Sequence, residues 1–514
     1  MSCYIGIDAG TSGVKTIVIN EEGKLLGSGY QECDLITPQP GYAEQYPETW
    51  WRALNLSVRQ AISMSGKRDE IRGIGFSGQM QGCTLLDKDM RPIRNCILWL
   101  DQRSSDEVKD IENILTEDEM FEIANNYCLN SYWAPKLLWI KKNEPDNYDK
   151  IYKVLFPKDY LRYRLTGEIA TDVSDASLSF FEDVPGRKWS DILLEKIGIS
   201  NDIVPENLYE SSDIAGYLLP SIAEEFDLPA GIPVVAGAGD QQAGAIGSGI
   251  VRNGVIGSAI GTSGVIFGCS DKPFIDRQRR AMFSMAHAVP QKWSYLGLVL
   301  SAGGSFKWLK NLIFADDKYV IPVGCQNTFE YMDKLAEKAV SGCEGLIFLP
   351  YLNGEKTPHD DANARGVFFG LSYRHSIVDI CRSVMEGVTF ALRDTIEICR
   401  ELDVDIEEVR ATGGGSKSSL WRQIQADIFR TKVISMNLEE GPAAGAAILA
   451  AVGAGSFACI EEACDAIVKI EDVTYPIPEN VKIYNEYYDT YKSLYSTLKN
   501  VYSSHSDIVN KYFD

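Results

Sequence analysis

The chain of 514 residues is 45% hydrophobic and 24% charged; the balance excludes a disordered polymer and the length excludes a single core, so two to four domains are expected. Its net charge of −22, without a cluster of Lys and Arg, excludes a nucleic-acid partner. Twelve Cys with no CxxC pair and only four His exclude a zinc framework, and the most apolar stretch, 441–455, is too short for a membrane span.

Met1-Ser2-Cys3-Tyr4 has neither a basic nor an apolar leader, which predicts a cytoplasmic, reducing setting. Tyr4-Ile5-Gly6-Ile7-Asp8 reads as a strand, Gly10-Thr11-Ser12-Gly13 as a tight turn, and Val14 to Ile19 as the returning strand. Asn20-Glu21-Glu22-Gly23-Lys24 is the next turn, and Leu25-Leu26 opens a third strand. The sequence Gly-Thr-Ser-Gly-Val recurs at 261–265, again between two apolar runs. Two halves that each open on such a meander predict two related lobes with a ligand in the cleft between them. Between the two turns, 71–76 reads as a strand, 106–114 and 134–142 as helices, and 232–237 as a buried strand opening near a Pro. Further on, 289–300 reads as strand, 329–340 and 377–402 as helices, 409–412 as strand and 419–430 as helix. Strands alternating with helices predict an α/β chain, with the lobes divided between residues 246 and 247. The Tyr-rich segment 484–502 is predicted to be a helix packed on one lobe without chemistry of its own.

Several segments bear on chemistry. Val14 separates Gly13 from Lys15, so the G-x-x-x-x-G-K-[ST] order of a P-loop is not met, and no G-x-G-x-x-G joins a strand to a helix. A Gly/Thr/Ser turn is either a plain hairpin turn or a phosphate cradle of backbone N–H groups and hydroxyls; its duplication favours the cradle. Asp8 either caps that turn or holds a cation there. Asp240 follows Gly237-Ala238-Gly239 and precedes a helix, so it is either a helix cap or an acid that takes a proton from an attacking hydroxyl. Thr412-Gly413-Gly414-Gly415-Ser416 is either a flexible turn or a side-chain-free surface for a flat ring. Gly441-Pro442-Ala443-Ala444-Gly445 reads as a tightly packed helix. Gln79-Met80-Gln81-Gly82 and Trp99-Leu100-Asp101-Gln102-Arg103 bring together the amides, aromatic ring and charges that sugar hydroxyls and C–H faces use.

These segments together resemble the FGGY carbohydrate-kinase family, within the actin/hexokinase/heat-shock-ATPase superfamily, over residues 4–500. Ile7 to Ser12 and Ile260 to Gly264 resemble its two phosphate motifs, and Ala411 to Ser416 its adenosine motif. Gly366 to Leu371 with Asp379 and Glu386 resembles one family signature; Ala134 to Trp139 resembles the other, with Trp133 where a small residue or Pro is usual. Pro157-Lys158-Asp159-Tyr160, Ser174-Asp175-Ala176 and Glu355-Lys356-Thr357-Pro358-His359 resemble the xylulokinase branch, although Gln81 stands where that branch has His.

The resemblance implies two actin-like, ribonuclease H-like lobes around a central cleft, and transfer of a phosphoryl group from ATP with Mg²⁺ to a sugar hydroxyl, D-xylulose to D-xylulose 5-phosphate. Gluconate, an alditol such as glycerol, another ketose, or a sugar-sensing role without turnover are the alternatives. It implies Asp240 as base and Gln79, Met80, Gln81, Trp99, Asp101 and Gln241 as sugar contacts. Thr11, Ser12, Lys15, Gly261, Thr262, Ser263, Gly304, Gly413, Gly414, Gly415 and Ser416 are implied for ATP, with Asp8 on Mg²⁺ directly or through water. A sugar is the implied partner, with no membrane and room for a homodimer. An acidic chain must hold phosphates by backbone N–H groups, Lys and metal rather than by its overall field.

Overall fold

The computed structural model describes residues 2–314, 324–438 and 440–513. The elements that frame the site are numbered here in chain order. Strands β1 (Cys3–Ala9), β2 (Gly13–Asn20) and β3 (Leu25–Glu32) form an antiparallel meander. Helix α1 (Pro47–Ser65) starts on a Pro in its first turn, stops at a left-handed Gly66, and covers β3. Strand β4 (Ile71–Gly78) runs parallel to β1. Helices α2 (Trp133–Asn143) and α3 (Pro157–Thr166) follow. Strands β5 (Ile214–Tyr217), β6 (Pro233–Val235) and β7 (Ala238–Gly239) complete a sheet of order β5-β6-β4-β1-β2-β3, with β7 paired to the end of β4. Helix α4 (Asp240–Gly247) leaves that sheet directly.

The second half repeats the plan. Strands β8 (Val255–Ile260), β9 (Gly264–Ser270), β10 (Phe283–Ala286) and β11 (Trp293–Val299) are antiparallel neighbours. Helices α5 (Gly303–Ile313), α6 (Thr328–Ala336) and α7 (Ile377–Glu401) come next; Ser376 and Asp379 close a capping box on α7. Strand β12 (Glu408–Gly413) runs parallel to β8, helix α8 (Ser419–Phe429) follows, and β13 (Val433–Met436) lies parallel to β12. After helix α9 (Gly441–Gly453), β14 (Ile470–Thr474) gives the order β10-β11-β9-β8-β12-β13-β14, and α10 (Pro478–Phe513) ends the description. In each sheet an antiparallel meander is extended past its first strand by parallel strands, the ribonuclease H-like arrangement that the resemblance implies.

Three expectations shift. The strand expected over 232–237 breaks after Val235, because Gly237 turns at φ +82 against the carbonyl of Phe76. The strand expected over 289–300 begins only at Trp293; residues 287–292 form a turn in which Gln291 has φ +59. The helix expected over 329–340 is the shorter α6.

Helix α9, late in the chain, packs against the first sheet. A Cβ on Gly6 would lie 1.9 Å from the Ala443 carbonyl, one on Gly75 1.9 Å from that of Ala446, and one on Gly73 2.7 Å from that of Ala450. Gly445 likewise presses on Ala243 of α4. Helix α10 lies on the second lobe, where Tyr484, Tyr488 and Tyr491 surround Phe390 of α7. No helix among the described residues is long and apolar enough to cross a membrane.

Candidate active site

The β1–β2 register pairs Asp8 with Lys15 and Ala9 with Val14, so Gly10-Thr11-Ser12 is a three-residue turn at the edge of the sheet. The parallel partner β4 sets Ser77 beside Asp8, and the Ser77 hydroxyl donates to Asp8 Oδ1 at 2.9 Å. Gln79 follows β4 and meets the turn. The Thr11 hydroxyl donates to Gln79 Oε1 (3.2 Å), and the Trp99 indole N–H donates to Thr11 Oγ1 (3.0 Å). Gln45, which the sequence did not single out, ties these groups together. Its amide donates to the Thr11 carbonyl (2.7 Å), and its Oε1 accepts from Gln79 (2.8 Å) and from the Trp50 indole (3.0 Å).

Strand β7 pairs Ala238 with Ser77 and Gly239 with Gly78, which places Asp240 at the same edge as Asp8 and Gln79. Met80 packs directly on Gly239, where an added Cβ would come within 2.7 Å of the Met80 Cε. Burial raises the Asp240 carboxyl to about 7, helped by the negative charge of Asp8 and opposed by its hydrogen bond from Gln241 (3.4 Å). Burial raises Asp8 to about 6, against the Ser77 hydrogen bond and the charge of Lys15. Asp8, a hard oxygen donor beside the first turn, suits a divalent cation. Among the described residues no three such side chains gather to hold a metal alone, so phosphate and water oxygens would complete any coordination shell.

The second turn is built alike. The register pairs Ile260 with Gly264, leaving Gly261-Thr262-Ser263 as the turn. The Thr262 carbonyl accepts from the N–H of Ala302 (3.0 Å) and of Gly304 (2.9 Å) at the start of α5. Strand β12 pairs Gly413 with Ile260; Gly413, at φ +76, and Gly415 both press on Ile260, where any Cβ would clash at 2.7 Å. The triple glycine is therefore a packed 3₁₀ turn, Gly414–Lys417, beside the second Gly/Thr/Ser turn. Two cavities meet at Gly261. One, of about 910 Å³, reaches Asp240, Gln241, Gly413 and Ser416. The other, of about 670 Å³, runs between Thr262, Gly304, Gly414 and Gly415 and the rings of Phe306, Phe329 and Trp421. An apolar slot joined to a polar one can take a flat ring with a charged tail.

Two of the expected residues are engaged elsewhere. Asp101 is fully buried; Oδ2 accepts from the Ala43 N–H (2.6 Å) and Arg103 (2.7 Å), and Oδ1 accepts from the backbone and side chain of Arg103. A sugar hydroxyl would have to displace one of those donors, so Asp101 stands behind the site rather than in it. Lys15 ion-pairs with Glu440 ahead of α9, so phosphate would compete with a carboxylate for it. Beside Gln45, sequence reading missed Lys136, which lies on a buried face and donates to the Gln81 carbonyl at 2.8 Å. Burial lowers its ammonium to about 8. A single Lys within the apolar run 134–140 was the available signal.

A fold of paired ribonuclease H-like sheets, with a Gly/Thr/Ser turn from each and an acid at the cavity, is the frame of the phosphotransferases and ATPases of the actin/hexokinase superfamily. Residues 3–247 match the N-terminal domain of the FGGY family of carbohydrate kinases and residues 258–454 its C-terminal domain. The chain belongs to that family and is a carbohydrate kinase, which implies a nucleotide phosphoryl donor and a sugar acceptor. It is 38% identical to the xylulose kinase of Bacillus subtilis over 493 residues, 96% of each chain. It is 38% identical to that of Escherichia coli over 452 residues, 88% of this chain and 90% of the other. A solved structure described as a xyloylose kinase from Brucella ovis superposes with a TM-score of 0.89 at 34% identity, covering 97% of this chain and all of that one.

Proposed function

We propose that this kinase transfers the γ-phosphoryl group of ATP to the 5-hydroxyl of D-xylulose, with Asp240 as general base. The observation that carries the reading is the place of Asp240: at the sheet edge beside Gln79, opening into the cavity that reaches Gly261 and Gly413. The names of the full-length relatives support the substrate. The lobes divide between residues 246 and 247, with the sugar on the first and the adenosine on the second.

Adenine lies in the 670 Å³ slot over Gly414 and Gly415, near Ser416 and Gly304. Backbone N–H groups of Thr11 and Ser12 and of Thr262 and Ser263 face the phosphates from the two lobes, the Gly261 N–H being spent on the Ser263 carbonyl. Gln81, Gln241 and the ring of Trp99 hold the sugar and Gln79 supports them through Thr11 and Gln45, while Met80 sets the floor under Gly239 and Asp101 braces the site from behind. The acceptor oxygen attacks the γ-phosphorus, its proton passes to Asp240, and the bond to the bridging oxygen of ADP breaks. A divalent cation at Asp8, when bound, neutralises charge on the phosphates. Otherwise the chain contributes by orienting the reactants and excluding water as a rival acceptor. Twelve unpaired cysteines accord with a reducing cytoplasm, and a homodimer is part of the same reading.

A panel of D-xylulose, other ketoses, gluconate and glycerol with coupled ADP detection tests this. The highest kcat/KM for D-xylulose is expected. A clear preference for gluconate or glycerol would replace the substrate, and ATP turnover indifferent to every sugar would remove the kinase reading of the site.

A further inference from the structure

The sugar loop after β4, residues 79–82, is gripped from one side by α2. The Trp133 indole N–H donates to the Gly82 carbonyl at 2.8 Å, and Lys136 Nζ donates to the Gln81 carbonyl at 2.8 Å. Both side chains are wholly buried. They lie three residues apart on one helix, so one rigid face reaches two successive carbonyls. Trp133 is itself fixed by stacking on Phe156, with ring centroids 3.9 Å apart. Phe156 leads into Pro157 of α3, and a Cβ on Gly82 would lie 2.5 Å from the Pro157 ring.

The grip meets a need. Gln81 sits at φ +68, a left-handed conformation that a residue with a side chain adopts at a cost, and only where its surroundings hold it there. Lys136 is an unusual holder. Among the described residues its one hydrogen bond goes to a neutral carbonyl, and no carboxylate lies within ion-pair distance of it. A buried ammonium without an acid is expensive to keep. On the far side of the loop Met80 fills the space under Gly239, next to Asp240. The loop is thus a wedge in which Gln81 stays partly exposed while Gln79 is buried against Thr11 and Gln45, whose inner face is nailed to α2, and whose end rests against the turn that carries Asp240.

We infer that Trp133 and Lys136 are positioning residues for the acceptor sugar: from α2 they fix the backbone of residues 79–82, and so set where Gln81 meets the sugar, and where Gln79 holds Thr11, relative to Asp240. Neither touches the substrate. The inference rests on the sugar-site reading above and assigns a determinant of sugar affinity to a helix outside it.

The test is steady-state kinetics of the full-length enzyme and of W133F and K136M, with D-xylulose and ATP varied separately and a thermal melt of each protein. W133F keeps an aromatic ring for Phe156 and removes the indole donor with part of the ring volume, whose packing cost the thermal melt reads separately. A rise in KM for the sugar of roughly fivefold to tenfold, the size of one lost buried hydrogen bond, is expected for W133F, and more for K136M. KM for ATP should stay within about twofold, since a change confined to one substrate is what a sugar-positioning role demands. Unchanged sugar KM in W133F, or sugar and ATP KM rising in parallel, overturns the inference; W133F decides it even if K136M does not fold. Failure of the underlying reading would show instead in the wild-type enzyme, as ADP release that no sugar stimulates, and would take the inference with it.

Discussion

Asp240 sits where burial and the facing charge of Asp8 bring its proton affinity to the neutral range, the value that suits a base working near pH 7. D240N should fold normally and lose phosphorylation by about 100-fold or more, the usual size of a general-base effect; circular dichroism with the coupled ADP assay checks both halves. A base works ionised. The rate limb kcat/KM for the sugar should therefore climb with pH up to about 7 and flatten above it. Because Asp8 raises Asp240, D8N should move that midpoint to lower pH, and a midpoint that stays put would disconnect the two carboxyls. At this scale the sequence was readable for placement, setting Asp8 and Asp240 beside their turns and giving the two Gly/Thr/Ser turns. It was opaque where the role depends on a distant partner. Nothing local says that Asp101 is spent on Ala43 and Arg103, that Gln45 links Thr11 to Gln79, or that Lys15 finds Glu440.

The elements meet along seams where there is no room for side chains. Adding a methyl at Gly75 puts a carbon 1.9 Å from a carbonyl of α9, so G75A should cost roughly 1–3 kcal/mol by overpacking, read as a lower denaturant midpoint. A second seam is ionic. Lys158, at the start of α3, has its ammonium 2.8 Å from Asp159, 2.8 Å from Asp172 and 3.5 Å from Asp175, all fully buried. The Ser174 hydroxyl links this cluster to the Gly239 N–H, directly behind Asp240. Burial pushes the Asp175 carboxyl well above its ordinary range, and among the described residues neither of its oxygens has a hydrogen-bond partner. K158M would strand two carboxylates and should cost about 3–5 kcal/mol. D175N replaces a group held neutral by an amide of the same shape and should cost far less; equal losses in the two variants would mean that Asp175 carries a charge. Helix and strand types were legible here from periodicity and turn residues. The seams were not, because the glycines of β1 and β4 show only that something comes close, without saying what.

For the whole molecule, the two cavities meet at Gly261, and the larger runs from Asp240 on α4 to Gly413 on β12, so both substrates bind to the folded arrangement and not to the open chain. Each should stabilise it by mass action: ligand at about a hundredfold above its Kd adds ~2.7 kcal/mol, readable as a rise in melting temperature with D-xylulose and again with ADP. The repeat of the Gly/Thr/Ser turn made the two-lobe plan legible in the sequence, and the repeat of sheet order agrees with it.

What the repeat concealed is helix α9, which is spelled out after residue 440 yet lies on strands spelled out before residue 79. During synthesis the ribosome must deliver some 360 further residues before that amino-terminal layer can be covered. In the interval a flat, glycine-lined surface stands bare, the kind of nascent intermediate that chaperones engage and that clumps without them. A fragment ending at residue 247 should therefore precipitate on expression, whereas supplying residues 441–453 in the same cell as a separate chain should rescue part of it into the soluble fraction.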